Sequence, residues 1–324
     1  MMKQILHQIE NSENLLLASH ISPDGDAVGS LTALGLAIEI LGKKVTLYSE
    51  SPIPAVYRFL PATGRITRSI KSPNEFDVAV ILDCSTLDRV GNAVDLIEKI
   101  PMIINVDHHA TNSFFGHLQL VDTWACATAE IVYGMIKKMD IRINKAIATS
   151  IYTGILTDTG SFRFSNTNEN AFSICREMME YGVDPSYVAQ HVYGFHSVGR
   201  LKLLNRALNS LEISENGKVS VMTLTQEMFR KTHSQAEDTE GFLNYARNIK
   251  DIKVAALIHE KPDSGDKDIG KCRYHISLRS DGAVDVSAIA AGFGGGGHRT
   301  AAGFCIDASS EEIKSQLFEL AEKI

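Results

Sequence analysis

In the first half of the chain, short apolar runs alternate with stretches whose apolar residues recur at helical spacing. Residues 15–19, 45–48, 78–82 and 103–106 are near-continuous apolar runs, the pattern of strands buried on both faces. Between the first two, residues 27–41 carry Leu31, Leu34, Ile38 and Leu41 on one helical face, and Gly42 follows where a helix end favours glycine. This alternation predicts an α/β fold with a doubly wound, mainly parallel sheet. Past Trp124 the pattern turns helical over 127–138, 145–156 and 169–181, which leaves Asp158 just beyond the second of these helices.

Helical periodicity persists through Leu201, Leu204, Leu208 and Leu211, so residues 185–211 read as a helical connector rather than a floppy linker. Beyond it, 218–224, 252–259 and 272–279 read as strands of a second sheet, with helices near 226–231 and 239–247. A polar, Gly-containing stretch at 263–268 suits a hairpin loop, 285–292 a short helix and 311–323 a final one. The expected organisation is a metal-binding catalytic domain over 1–184, the connector over 185–211, and a smaller α/β domain over 212–324. A chain of 324 residues suits two such cores better than one.

Composition is that of an ordinary globular protein, and the formal charge of -7 argues against a broad basic surface for gripping long duplex nucleic acid. It leaves room for a small phosphorylated substrate, because bound metal ions carry positive charge of their own. With no basic-then-apolar leader and no apolar run long enough to span a bilayer, the expectation is a cytoplasmic protein without a membrane partner. The five cysteines, Cys84, Cys126, Cys175, Cys272 and Cys305, are dispersed, as reduced and mostly buried thiols would be.

The apolar runs end on ligand-type side chains. His20, Asp24 and Asp26 follow the first, Asp83 follows the run at 78–82, and Asp107, His108 and His109 follow the run at 103–106. Parallel strands would bring these ends to one edge of the sheet, where open α/β folds bind ligands. Carboxylates with imidazoles and no thiolate suit Mn²⁺, Mg²⁺ or Co²⁺, and so many ligands point to two ions. Two ions roughly 3.5 to 4 Å apart can clamp the attacking and leaving oxygens of a phosphoryl transfer. Any single aspartate here has a plainer reading; Asp24 and Asp26, for example, lie where a helix N-cap is expected. Coincidence would have to recur down the chain to Asp158, which favours metal binding. The histidines at 7, 117, 233, 259 and 275 read as structural. Near the C-terminus, Gly294 to Gly297 followed by His298 could form a backbone nest for an anion rather than a linker.

His20-x-x-x-Asp24-x-Asp26, Asp83, Asp107-His108-His109 and Asp158 in Thr-Asp-Thr-Gly resemble, in order and spacing, the four motifs of the DHH phosphoesterase superfamily. Arg279-Ser280 and the run from Gly294 to Gly303 resemble the DHHA1 domain found in part of that superfamily. The two-domain layout is most similar to the NrnA-type oligoribonucleases, or nanoRNases, which degrade short oligonucleotides and dephosphorylate 3'-phosphoadenosine 5'-phosphate. The resemblance implies one ion on His20, Asp24 and Asp83, and a second, most simply also Mn²⁺, on Asp26, Asp83, His108 and Asp158. It implies that His109 meets the scissile phosphate and serves the departing oxygen, with Asp107 orienting the paired histidines. Arg279, Ser280, Gly295, Gly296, Gly297 and His298 would contact substrate across an interdomain cleft that admits only a few nucleotides. The implied partners are short single-stranded RNA, dinucleotides and nucleoside bisphosphate, and a homodimer is compatible with all of this.

The nearest rival is a manganese pyrophosphatase, whose lysine- and arginine-bearing terminal motif is not found here. A RecJ-type exonuclease would bring a further nucleic-acid-binding domain, and a membrane-attached cyclic-dinucleotide phosphodiesterase would bring membrane segments. A catalytically silent nucleotide-binding protein is the alternative of another class, and the complete ligand set speaks against it.

Overall fold

The structure is a computed structural model that describes residues 1–194, 196–262, 273–322 and 324. It divides into two compact units, Met1–Phe195 and His196–Ile324.

In the first unit the chain runs α1 (Met2–Glu10), β1 (Asn14–Ser19), α2 (Gly25–Ile40), β2 (Lys44–Tyr48), β3 (Val78–Leu82), α3 (Val94–Ile97), β4 (Ile103–Asp107) and β5 (Leu118–Val121). It continues through α4 (Thr128–Lys138), α5 (Lys145–Asp158), α6 (Glu169–Glu180) and α7 (Pro185–Ala189). The five strands are all parallel in the order β2-β1-β3-β4-β5, as the near-continuous apolar runs anticipate. Strand order reverses direction between β1 and β3, and the loops that leave these two strands flank the crevice such a reversal opens. One face of the sheet packs Leu15, Leu17, Val80 and Val106 with Val28, Leu31 and Ile151 of the helices. The other packs Leu16, Ala18, Ala79 and Ile81 with Val90 and Ile97.

Close approach of α2 and α5 depends on missing side chains. A Cβ on Gly29 would stand 2.6 Å from the Ser150 carbonyl oxygen, and one on Gly154 would stand 2.9 Å from Asp26 Oδ1. The two helices therefore meet backbone to backbone, which brings Asp26 at the start of α2 near Asp158 at the end of α5. Asp158 is the last residue of that helix rather than lying past it, because Thr157 and Thr159 continue the backbone and hydroxyl bonding through the final turn.

The second unit comprises α8 (Val198–Asn209), β6 (Glu212–Ile213), β7 (Val219–Leu224), α9 (Gln226–Thr232), α10 (Phe242–Arg247), β8 (Val254–Glu260) and β9 (Tyr274–Ser280). After these come α11 (Val286–Ala291), β10 (Gly296–His298), β11 (Ala301–Ile306) and α12 (Ser310–Ala321). Its sheet has the order β10-β11-β9-β8-β7-β6, with β7 and β8 parallel and the other neighbours antiparallel. The sequence reading of 185–211 as one connector meets the unit boundary in its middle: α7 belongs to the first unit and α8 to the second. Cys272 and the loop read at 263–268 lie outside the described residues.

The glycine run is not a loop throughout. Gly296–His298 form an edge strand paired antiparallel to β11, and a Cβ on Gly295 would stand 2.2 Å from the Gly303 carbonyl oxygen. Gly297, at φ +145, would bring a Cβ to 2.5 Å from Ala302 Cα. Both glycines are thus required by strand packing alone, whatever else they do. Of the histidines read as structural, His259 and His275 are half-buried cross-strand partners, whereas His7, His117 and His233 are exposed.

Candidate metal centre

The C-terminal ends of β1, β3 and β4 and the last turn of α5 bring His20, Asp24, Asp26, Asp83, Asp107, His108, His109 and Asp158 to one edge of the first sheet. Three groups of potential ligand atoms lie close together: His20, Asp24 and Asp83; Asp26, His108 and Asp158; and Asp83, His108 and His109. Asp83 belongs to two of them. Its Oδ2 lies 3.5 Å from His20 Nε2, and its Oδ1 lies 3.8 Å from His108 Nε2. Asp83 holds this position with a left-handed backbone, φ +58, which turns the chain sharply off β3.

Two imidazoles have their tautomers set by carbonyls. His20 Nδ1 lies 2.8 Å from the Ile21 carbonyl oxygen, a shorter contact than the 3.4 Å to Arg89 Nη2, so Nδ1 donates there. His108 Nδ1 likewise faces the Ala125 carbonyl oxygen at 3.3 Å. In each ring Nε2 is then the nitrogen turned to the carboxylates: Asp83 and Asp24 at 3.5 and 4.0 Å from His20, and Asp158, Asp83 and Asp26 at 3.6, 3.8 and 4.0 Å from His108. These separations exceed a charged hydrogen bond and suit donor atoms that share a cation. His109 differs, because its Nδ1 makes a short 2.7 Å bond to Asp107 Oδ1.

The carboxylates are held by groups that carry no sequence signal. Asp24 caps α2, its Oδ1 accepting from the N–H groups of Asp26 and Ala27. Asp26 accepts from the Thr128 and Ala129 N–H groups at 2.6 and 2.9 Å, so the first turn of α4 caps a carboxylate that belongs to α2. The Thr128 hydroxyl donates to Asp83 Oδ1 at 2.9 Å, and Asn112 Nδ2 donates to Asp107 Oδ2 at 2.6 Å. Asn166 Nδ2 donates both to Asp158 Oδ2 and to the Cys126 carbonyl oxygen, while its own Oδ1 is buried without a partner. Sequence reasoning missed Thr128, Asn112 and Asn166, and only their nearness to the motifs could have drawn attention to them.

Charge is unbalanced in this pocket of acids. Burial, with Asp83 and Asp158 nearby, pushes the Asp26 carboxyl well up, and burial likewise pushes Asp158 up to about 7. Burial works against the charged form of His108, but Asp83, Asp26 and Asp158 overcome it and raise the ring to about 9. For Asp83 the burial penalty is outweighed by His20, His109 and His108, which hold its carboxyl below the usual range. Protons are here taking up negative charge that divalent cations would neutralise, so the donor set fits metal ions.

In the second unit, Arg279 is half-buried at the end of β9, where burial lowers the affinity of its guanidinium for the proton and Glu240 opposes that. Ser280 is buried, and its hydroxyl donates to the Val284 carbonyl oxygen at 2.7 Å and accepts from Gly282 N–H, which secures the turn after β9. Gly295 directly precedes β10, Gly296 and Gly297 open it, and the side chain of His298 is outside what is described.

Comparison with known proteins gives this site a context. The family model for the DHH family N-terminal domain matches residues 14–155, and that for the DHHA1 domain matches 216–324. The bifunctional oligoribonuclease and PAP phosphatase NrnA of Thermus thermophilus is 31% identical to the chain, over 93% of this chain and 86% of that protein. The chain belongs to the DHH family. It is a DHH phosphoesterase of the DHHA1-bearing kind, a hydrolytic enzyme of the nuclease and phosphatase type. The Bacillus subtilis protein of the same description is 28% identical over 94% of this DHH chain and 93% of its own. The crystal structure of an exopolyphosphatase-related protein from Bacteroides fragilis superposes with a TM-score of 0.89 at 28% identity, covering 98% of this chain and 95% of that one. DHH phosphoesterases depend on metal, and the three clusters are the groups of this chain that could hold it. No helix among the described residues is long and apolar enough to cross a membrane.

Proposed function

We propose that this chain hydrolyses short oligoribonucleotides and dinucleotides to mononucleotides and also converts 3'-phosphoadenosine 5'-phosphate to AMP. The observation that carries the reading is the three-fold clustering of acids and oriented imidazoles at one sheet edge, in a chain aligned nearly end to end with proteins named for these two activities. The unit Met1–Phe195 is the catalytic part and His196–Ile324 the part that holds substrate. Cysteines that are dispersed along the chain support a cytoplasmic setting.

His20, Asp24 and Asp83 would hold one Mn²⁺, and Asp26, Asp83, His108 and Asp158 the other. When bound, the two ions supply charge that neutralises the phosphate oxygens and lowers the pKa of the attacking water. The chain's own residues do the rest. The Ile21 and Ala125 carbonyls keep Nε2 of His20 and His108 turned to the centre, and Thr128 holds Asp83 in place. With Nδ1 bonded to Asp107, His109 has Nε2 as the ring nitrogen that serves the scissile phosphate and the departing oxygen. Arg279, Gly295, Gly296, Gly297 and His298 bind substrate phosphate and sugar, and Ser280 secures the turn beside them.

Product analysis tests the reading, with a linear dinucleotide, a longer oligoribonucleotide, 3'-phosphoadenosine 5'-phosphate and pyrophosphate supplied with Mn²⁺ or with chelator. Metal-dependent loss of the dinucleotide and the bisphosphate with pyrophosphate intact is the expected result, and Asp83→Asn abolishes it. Turnover of pyrophosphate alone would replace this reading with a pyrophosphatase, and inertness toward all four with a binding protein.

A further inference from the structure

Trp124, the sole tryptophan of the chain, is 88% exposed, yet the backbone around it is hydrogen-bonded throughout. Its N–H donates to Asp122 Oδ1 at 3.0 Å, and its carbonyl oxygen accepts from Asn168 Nδ2 at 3.0 Å. Ala125 N–H donates to the Asp122 carbonyl, and the Ala125 carbonyl faces His108 Nδ1. Cys126 N–H donates to Glu130 Oε2, and the Cys126 carbonyl accepts from Asn166, the residue that also holds Asp158. Every backbone polar group of residues 124–126 is thus bonded; one of those bonds reaches His108 of the ligand clusters, and another reaches Asn166, which in turn holds Asp158.

A single exposed apolar residue ordinarily needs no explanation. This one stands one peptide from the carbonyl that orients His108. Phe114, five residues past His109, and Phe164, six past Asp158, are exposed as well, at 61% and 42%. A large flat ring on a fixed backbone, beside a centre that handles phosphates, has the physical make-up of a stacking platform for a base. Every base offers a π-face, and a platform of this kind tolerates any sequence.

We propose that the Trp124 indole stacks on a nucleobase of the substrate and so contributes the preference for nucleotides over other phosphate esters. The inference rests on the phosphoesterase reading above and adds to it the element that recognises the base. The pinned backbone fixes the point from which the ring projects, so binding has to order only the two side-chain torsions.

The sole tryptophan makes the test direct. Indole fluorescence of the full chain with Mg²⁺ is titrated with AMP and with ribose 5-phosphate, and quenching is expected for AMP alone. In parallel, Trp124→Ala is expected to raise KM for a dinucleotide about ten- to hundredfold with kcat little changed. It is expected to act on the dinucleotide's abasic analogue like the wild type, and Trp124→Phe restores most of the affinity. If the wild type cleaves the dinucleotide but Trp124→Ala has the same KM, or if both phosphates quench alike, the stacking role is overturned while the hydrolytic reading stands. A change of oligomeric state in Trp124→Ala would overturn it too, because the ring would then belong to a subunit contact. Failure of the wild type to cleave the dinucleotide would overturn both together.

Discussion

His109 Nδ1 lies 2.7 Å from Asp107 Oδ1, and Asp107 is fully buried with its other oxygen held by Asn112. Burial raises the cost of charge on both partners, but the pair more than offsets it: the His109 ring is shifted up and the Asp107 carboxyl down. This is how an imidazole is kept in one tautomer and ready to carry a proton.

Asp107→Asn should therefore lower kcat about 10- to 100-fold while KM moves little, since the substitution keeps the shape of the pair and removes its charge. Steady-state kinetics on a dinucleotide checks it, and an unaltered kcat would remove Asp107 from the catalytic account.

Gly295, just before β10, and Gly296, its first residue, should respond differently to alanine. A Cβ on Gly295 meets the Gly303 carbonyl and the Phe304 backbone, whereas one on Gly296 meets nothing within 4 Å. Gly295→Ala is expected to destabilise the second unit by about 1–3 kcal/mol, and Gly296→Ala by little. If Gly296 also lies against a phosphate, its variant keeps wild-type stability and loses substrate affinity. Chemical denaturation paired with KM measurements separates these effects.

Glu177 ties α6 to α4, accepting from Tyr133 Oη at 2.5 Å and from Lys137 Nζ at 3.0 Å. Partial burial would raise its carboxyl, but these donors outweigh burial and hold it below its ordinary value. A carboxyl lowered by folding contributes stability above its unfolded pKa and loses that contribution as pH falls through the folded one. Glu177→Gln should thus be less stable than wild type at neutral pH by about 1 kcal/mol, with the two converging below roughly pH 4. Thermal melts across pH check the sign; a gap that widens in acid would contradict it.

Much of the first unit was legible because its strands are buried on both faces and its ligands follow them directly, as in the run 78–82 before Asp83. β5 was not, since Leu118–Val121 is a half-buried edge strand with Gln119 within it, too short and mixed to stand out. α1 was missed as well: at nine residues it is short for a helix read from pattern alone, although Ile5, Leu6 and Ile9 do fall on one helical face. The glycine run was read from its flexibility as a nest, and strand pairing with Ala301–Ile306 supplied the order that composition lacks. In the site, the ligand-type side chains were visible but their supports were not. Thr128 and Ala129 act through peptide N–H groups, which every residue but proline possesses, and Asn166 acts only because α5 ends where it does.

The left-handed backbone of Asp83 gives this position two masters. Conformation alone would favour glycine or asparagine there, and aspartate gives up about 1 kcal/mol to stay. The ligand clusters accept only the carboxylate, which reaches His20 with one oxygen and His108 with the other. A glycine at 83 would ease the main chain while emptying the centre of its shared donor. Improving the scaffold and keeping the chemistry are thus opposed at one residue, and a search for hardier variants by stability alone would be drawn to the very substitution that silences the enzyme.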